Sequence, residues 1–395
     1  MVKKDMLKKP PRLLYSAACL IAGLFLKTKC KAQFDRSGLS DLKGPALLLC
    51  PHISNMDFLL VAVALRPHRP TFVVSDHFMR RPALRRALRI MRVIPKKMFC
   101  PDIRTIKNII RAKESGNIIV LFPEGRLTCV GHSLSVTDGT ADLVRKLGVD
   151  VYTVTGNGAY KTLPKWGKSG FRPGKIKVTT EKVLDASQIA VMSAEQIEAE
   201  IEKIIFHDED KLFSNISYRC KDPAAGLDTV LYKCPTCGNE FKMVTGAFTL
   251  TCQGCGSSCR LDLRYELAGA PFRHINDWFF WQASQIDTGR ALESDTIVAT
   301  PDSKGNIVWN AGSGRVRMDR DSISFKGEVF GEPLEFTERT SDIKALPVST
   351  GHHFDLYHKK TLYNFILQPD PRAVIKWSQY MDKVTAENKQ TDGKA

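Results

Sequence analysis

His52 and Asp57 stand five positions apart in Pro51-His52-Ile53-Ser54-Asn55-Met56-Asp57. An imidazole bonded to a carboxylate makes a general base. The carboxylate fixes the tautomer through one ring nitrogen and raises the basicity of the other. Such a base can deprotonate a weak nucleophile such as an alcohol. Five residues along one continuous helix would point the two side chains apart, so the pair needs a turn between them. The flanking sequence supplies it. Ala46-Leu47-Leu48-Leu49-Cys50 reads as a buried strand, and Phe58-Leu59-Leu60-Val61-Ala62-Val63 as the start of a helix that Ser54 or Asn55 can cap. His52 then ends the strand and Asp57 lies in the first helical turn. A second apolar strand, Asn117-Ile118-Ile119-Val120-Leu121, runs into Phe122-Pro123-Glu124-Gly125-Arg126. Pro123 cannot continue the ladder and Gly125 permits close backbone approach. Glu124 and Arg126 therefore emerge at a strand end, where open α/β sheets bind their ligands.

In this order and context, the two motifs resemble the glycerolipid acyltransferase superfamily, whose members share His-x4-Asp and a later Phe-Pro-Glu-Gly. The resemblance covers about residues 31 to 205. It implies an α/β domain, a mixed sheet flanked by helices. The implied reaction moves a fatty acyl group from acyl-CoA or acyl-carrier protein to the hydroxyl of a lysophospholipid. The leading acceptor is 1-acyl-sn-glycerol-3-phosphate, giving phosphatidic acid. His52 would be the base and Asp57 its orienting partner, with no acyl-enzyme. Glu124, Gly125 and Arg126 would position the acceptor. Where the family uses an arginine for the acceptor phosphate, this chain reads Arg92-Val93-Ile94-Pro95-Lys96-Lys97. Lys96 or Lys97 would serve as a point charge, or both are solvated surface lysines. The strand that usually holds Pro-Val reads Val149-Asp150-Val151-Tyr152-Thr153-Val154-Thr155-Gly156, without the proline. Phe171-Arg172-Pro173-Gly174-Lys175-Ile176-Lys177-Val178 looks like the closing strand. Phe-Pro-Glu-Gly-Arg126-Leu127-Thr128 is similar to a branch that acylates 2-acyl-glycerophosphoethanolamine, which leaves the head group open.

The 395 residues carry a net charge of +16. Residues 1–111 hold 23 Lys and Arg against six Asp and no Glu, so the remainder is nearly neutral. A basic segment can bind nucleic acid. One that also contains an apolar stretch and the motifs above fits an anionic membrane surface and anionic substrates better, and no nucleic-acid partner is expected. The fourteen residues Leu13–Leu26 are uncharged and flanked by lysines. A span takes about 20 residues, so the reading is an interfacial or re-entrant helix on the cytoplasmic face of the membrane, peripheral or monotopic. A signal peptide and a core helix are the alternatives. From Pro82 a second helix carries arginines on or beside one face. It could meet lipid phosphates or the acidic helix of a carrier protein, or simply be solvated.

Six of the 11 cysteines cluster downstream. Cys234-Pro235-Thr236-Cys237-Gly238 and Cys252-Gln253-Gly254-Cys255-Gly256 are two Cys-x2-Cys-Gly knuckles with a hairpin-length spacer. Thiolates at this spacing close a tetrahedral Zn site in a reducing compartment. A pair of disulfides is the rival in an oxidising one. Four protein ligands leave no open position, so the ion would be structural. Cys19, Cys30, Cys50, Cys100 and Cys129 read as small buried hydrophobes.

The aromatic stretch 271–282 would pack the ribbon onto its neighbours or touch lipid. Beyond it, short strands separated by Gly, Asp and Lys turns, with a helix opened by Pro371, resemble a pleckstrin-homology or GRAM-type barrel in architecture alone. The resulting organisation is a membrane-associating segment over 1–30 and an acyltransferase domain over 31–212. A zinc ribbon follows over 213–265, then an aromatic linker helix over 266–294. A β-rich domain with a C-terminal helix fills 295–386, and a disordered tail 387–395. The competing readings are acylation of another lysophospholipid, such as lysophosphatidylethanolamine, and a membrane-docking scaffold that has lost turnover.

Overall fold

A computed structural model describes residues 8–80, 82–97 and 102–392. Cys100 and both chain ends (1–7 and 393–395) lie outside them. There are two compact units. The first runs to Lys165 and resumes over Gly170–Cys220; the second comprises Trp166–Ser169 and the chain from Lys221 onward. The domain boundary expected after 212 therefore falls after Cys220. Tyr218 Oη donates to the Lys175 carbonyl at 2.9 Å and Arg219 N–H to that of Pro173 at 2.8 Å, which holds this stretch in the first unit.

The first unit contains α1 (Arg12–Cys30), β1 (Gln33–Phe34), β2 (Ala46–Leu49), α2 (Asp57–Ala64), β3 (Thr71–Ser75), α3 (Pro82–Ile90), β4 (Ile94–Lys96) and α4 (Ile103–Glu114). It continues with β5 (Ile118–Leu121), α5 (Thr140–Leu147), β6 (Val151–Asn157), α6 (Ala159–Thr162), β7 (Lys177–Leu184), α7 (Ala186–Val191), α8 (Ala194–Ile205) and α9 (Glu209–Leu212). The strands form one mixed sheet in the order β1-β7-β6-β2-β5-β3-β4. The run from β6 through β4 is parallel, and β7 is antiparallel to β6. The expected closing strand at 171–178 starts only at Lys177.

Strands covered on both faces read as continuous apolar runs, and β2 is such a strand. Leu48 and Cys50 face a core shared with α1 and α2, while Leu47 and Leu49 face one shared with α4, α5 and α8. Parallel pairing of β2 with β5 brings the ends of both strands to the same edge. Leu60 to Ala64 in α2 are all buried, because α2 lies between the sheet and α1. Local signals stop and start the outer helices. Asp102 caps α4 by accepting from Thr105 N–H at 3.1 Å, and Ser193 with Gln196 forms a capping box on α8.

The second unit begins with a four-stranded antiparallel sheet of β8 (Met243–Thr245), β9 (Thr249–Cys252), β10 (Ser258–Leu261) and β11 (Leu267–Ala268). α10 (Ile275–Ser284) packs on this ribbon. Trp278 is buried and its indole N–H donates to the Lys233 carbonyl at 2.9 Å. Then come β12 (Leu292–Pro301), β13 (Ile307–Met318), β14 (Ser322–Val329), β15 (Glu332–Arg339), β16 (Val348–Ser349), β17 (His353–His358), β18 (Thr361–Gln368) and α11 (Val374–Asp392). The seven strands are antiparallel in the order β15-β14-β13-β12-β18-β17-β16, and Val374, Trp377 and Met381 of α11 are buried. Arg372 ties ribbon and sheet together, donating to the Phe241 and Met243 carbonyls at 2.8 Å each and to Asp228 at 3.1 Å.

Three sequence expectations are corrected here. The runs Ile307-Val308-Trp309 and Val316-Arg317-Met318, which read as two of the short strands because glycines lie between them, belong to one strand, β13. Its central glycines are there for close approach: a Cβ on Gly312 would stand 1.9 Å from the Glu328 carbonyl oxygen. The β-rich module starts at Leu292, not 295. The tail expected to be disordered from Glu387 is helical to Asp392, and Glu387 accepts from Arg320 at 2.9 Å and from the Thr288 hydroxyl at 3.1 Å. Its partners lie 67 and 99 residues away, beyond the reach of local composition.

Candidate active site and cysteine cluster

The turn between β2 and α2 brings His52 and Asp57 together. His52 Nδ1 lies 2.9 Å from Asp57 Oδ2. The same oxygen accepts Ser54 N–H at 2.9 Å. Neither Ser54 nor Asn55 caps α2 as expected. Met56 occupies that position without a side-chain bond, and the Ser54 hydroxyl accepts Met56 N–H at 3.3 Å. Burial pushes the Asp57 carboxyl up, and its bond to His52 is the leading opposing influence. The carboxylate is 5% exposed and the imidazole 28%, so Nδ1 is bonded to a buried group while the ring as a whole is partly open. Phe122 stacks on the imidazole, with ring centroids 4.6 Å apart and 29° between planes. Orientation is thus set by a hydrogen bond at one edge and an aromatic face beneath. Sequence reasoning used Phe122 only as a motif letter.

Glu124, expected to position the acceptor, is itself held by backbone donors. It is 2% exposed, and both oxygens are engaged by backbone. Oε1 accepts His52 N–H at 2.7 Å and Oε2 accepts Leu134 N–H at 2.7 Å. The side chain is a clamp between the end of β2 and the loop after β5. That loop returns to His52 again, since Thr128 N–H donates to the His52 carbonyl at 3.2 Å. Arg126 lies between these two tethers, partly exposed. Gly125, with φ at 71°, makes the tight turn possible.

Lys96 and Lys97 are not brought to this cluster. Lys96 ends β4, which is separated from β2 by β5 and β3. Three strand spacings amount to about 14 Å. β2 and β4, both in the parallel run, end at the same edge of the sheet. Lys97 N–H donates to Asp102 at 3.1 Å.

In the second unit the four ribbon cysteines converge, their sulfurs all within 4.8 Å of one another. Cys234 and Cys255 are 3.8 Å apart, as are Cys237 and Cys252. Four sulfurs about 2.3 Å from one tetrahedral ion stand about 3.8 Å apart, so the donor set fits a zinc ribbon. A disulfide would need about 2.05 Å, and these cysteines are unpaired. Gly238 and Gly256, at φ 73° and 76°, turn each knuckle.

Burial pushes Glu124 up to about 7 from 4.5, against the two N–H bonds that favour its charged form. The folded state then holds this proton more tightly than the unfolded chain. The stabilisation is full below about pH 4.5 and is lost as pH rises through about 7. Glu124→Gln removes that dependence and sets an amide N–H2 against a backbone donor. Thermal unfolding at pH 5 and pH 7.5 is expected to show a smaller difference in the variant, a lower Tm at pH 5, and turnover reduced about tenfold or more. An unchanged pH difference would remove Glu124 from this role.

Comparison with known proteins was consistent with the motifs. Residues 29–156 match the family described as Acyltransferase. Among solved structures, the chain is similar to the 1-acyl-sn-glycerophosphate (LPA) acyltransferase PlsC from Thermotoga maritima, at 20% identity and a TM-score of 0.41, over 49% of this chain and 76% of that one. His52, Asp57, Phe122 and Glu124 all fall inside the residues that match the Acyltransferase family, 29–156.

Proposed function

We propose that the protein transfers a fatty acyl group from a thioester donor, acyl-CoA or acyl-carrier protein, to the free hydroxyl of a lysophospholipid. 1-Acyl-sn-glycerol-3-phosphate is the first acceptor to consider. The observation that carries this reading is the His52–Asp57 pair, with one nitrogen bonded inside and the ring partly open. His52 takes the hydroxyl proton as the oxygen attacks the thioester carbonyl carbon. The C–O bond forms, the tetrahedral intermediate collapses, the C–S bond breaks, and the imidazolium returns its proton to the departing thiolate. Asp57 stabilises that imidazolium and keeps its tautomer. The residues two before and two after Arg126 are both tied to His52, Glu124 through its carboxylate and Thr128 through its N–H, which makes Arg126 a better candidate than Lys96 or Lys97 for the acceptor phosphate. His52→Ala is expected to lower turnover about a thousandfold with the fold intact, and Asp57→Asn to be similarly severe. Assays with lysophosphatidate, lysophosphatidylethanolamine and both donor types select the substrates. Near-wild-type turnover by His52→Ala would overturn the mechanism, and a wild-type protein inert on the whole panel would leave the docking scaffold.

A membrane surface suits α1. Tyr15, Cys19, Leu26 and Cys30 are buried, and the Tyr15 hydroxyl and Cys19 thiol approach the Ala62 carbonyl of α2 at 3.5 and 3.7 Å. On its other side Leu13, Leu14, Leu20, Ile21, Leu24 and Phe25 are exposed. By length and composition the 19-residue helix passes as a span. Its docked face favours lying along the surface instead, with the apolar face in lipid and basic residues at the headgroups. Deleting α1 would uncover the core, so point changes are the cleaner probe. Ile21→Asn with Leu24→Asn is expected to reduce binding to vesicles containing anionic phospholipid about tenfold or more, with Tm little changed. Full vesicle binding by that variant would place the anchor elsewhere.

For the cysteine cluster, zinc is the proposed ion, held by Cys234, Cys237, Cys252 and Cys255, with a structural role. Purified protein is expected to contain about one zinc per chain, and Cys237→Ser to lose it and loosen the ribbon. Metal-free protein with these thiols oxidised to disulfides would argue against both the ion and a reducing compartment.

A further inference from the structure

His207-Asp208-Glu209-Asp210 lies well beyond residue 156, where the family match ends. All four side chains are inside the first unit: His207 and Glu209 are 0% exposed, Asp208 1% and Asp210 5%. Burying charge is costly unless it is paired, and here the pairs are made. His207 Nε2 meets Glu209 Oε2 at 2.7 Å, and Asp210 meets Lys161, itself buried, at 3.2 Å. Even so, His207 Nδ1 and Glu209 Oε1 have no hydrogen-bond partner among the described residues. An apolar pair would avoid that cost, so packing alone does not account for these two residues.

The backbone that carries the pair is bonded to the loop over 131–133. Ser133 N–H donates to the His207 carbonyl at 2.9 Å, Glu209 N–H to the Gly131 carbonyl at 3.0 Å, and His207 N–H to the Ser133 hydroxyl at 3.0 Å. The loop gripped in this way is the one that holds the site. Thr128 N–H bonds the His52 carbonyl, and Leu134 N–H bonds Glu124. Gly131 leaves the loop no slack, because a Cβ there would stand 2.5 Å from the Tyr160 ring.

Resting on the acyl-transfer reading, we propose that His207 and Glu209 are positioning residues for that reaction. Their buried pair fixes segment 207–210 against loop 128–134, and the loop fixes the backbone of His52 and the carboxylate of Glu124. Substrate does not touch them, so they act on kcat rather than on acceptor affinity.

The test uses the full chain and replaces the whole pair. His207→Leu/Glu209→Leu exchanges a buried, hydrogen-bonded polar pair for apolar side chains, which proteins often tolerate without loss of stability, so the variant is expected to fold. His207→Gln, whose amide can still donate to Glu209, is the conservative companion and covers the case in which the double variant does not fold. Two readouts are taken. Amide hydrogen exchange at Thr128, Ser133 and Leu134 needs no substrate, and it is expected to speed up about tenfold or more in the double variant, with His207→Gln close to wild type. The kcat of the double variant is expected to fall about a hundredfold, with acceptor KM within about threefold. Unchanged exchange in loop 128–134 overturns the proposal, and so does wild-type kcat in a folded double variant. If His207→Gln alone is folded, loss of its protection and of kcat together overturns the claim that a donor to Glu209 is what matters. Should the wild-type protein acylate nothing, the function reading falls, while the exchange data still decide whether this pair holds the loop.

Discussion

One carboxylate holds the candidate site together. Glu124 sits almost out of solvent and divides its two oxygens between His52 N–H and Leu134 N–H. The end of β2 and the loop after β5 are adjacent in the sheet, yet nothing in parallel pairing fixes the chain once the ladders stop. Glu124 extends the connection past the strand ends. With Thr128 N–H on the His52 carbonyl, both backbone groups of the proposed base are anchored to the same loop. The side chain is then oriented by Asp57 at one edge and Phe122 beneath. Geometry of this kind comes from rigid support, because a general base works only within hydrogen-bond reach of the proton it takes.

That support explains which parts of the site were legible in the sequence. His52 and Asp57 could be read because their chemistry is local: strand, turn and helix are consecutive, and the apolar runs on either side mark where the turn falls. Glu124 could be found but not interpreted. A conspicuous acid at a strand end suggests ligand contact, and only the sheet order shows that its nearest donors belong to the backbone at His52 and Leu134. His207 and Glu209 gave no local signal. A short His-Asp-Glu-Asp run resembles a solvated loop until tertiary structure buries all four side chains. The capping assignment failed for a related reason, since the Ser54 hydroxyl and N–H serve the turn itself rather than the helix beyond it.

The second unit shows the same division. Cysteine spacing alone specified the cluster, because a knuckle needs only two residues between thiols and a glycine after them. Strand boundaries were less readable. Glycine signals a turn or a close backbone approach with equal force, and at Gly312 and Gly314 only the neighbouring strand decides between them. The polar end of α11 was misjudged because its order comes from Arg320 and Thr288, both far away in sequence.

The placement of α1 bears on how a lipid acceptor would meet the base. α1 packs directly on α2, and Asp57 lies in the first turn of α2. A helix with one face in lipid and the other against α2 puts no flexible linker between the membrane surface and the helix carrying the orienting carboxylate. The base would then keep a fixed height above the headgroups, set by side-chain packing across Tyr15, Cys19 and Ala62. A lysophospholipid has its reactive hydroxyl close to the headgroup, so an acceptor still partly seated in the leaflet could present it without full extraction. Complete removal would expose an acyl chain to water at a cost of about 0.8 kcal/mol per methylene. On the proposed reading, a protein docked at the surface through α1 would avoid most of that cost, which would be the physical advantage of packing such a helix against α2 rather than tethering it.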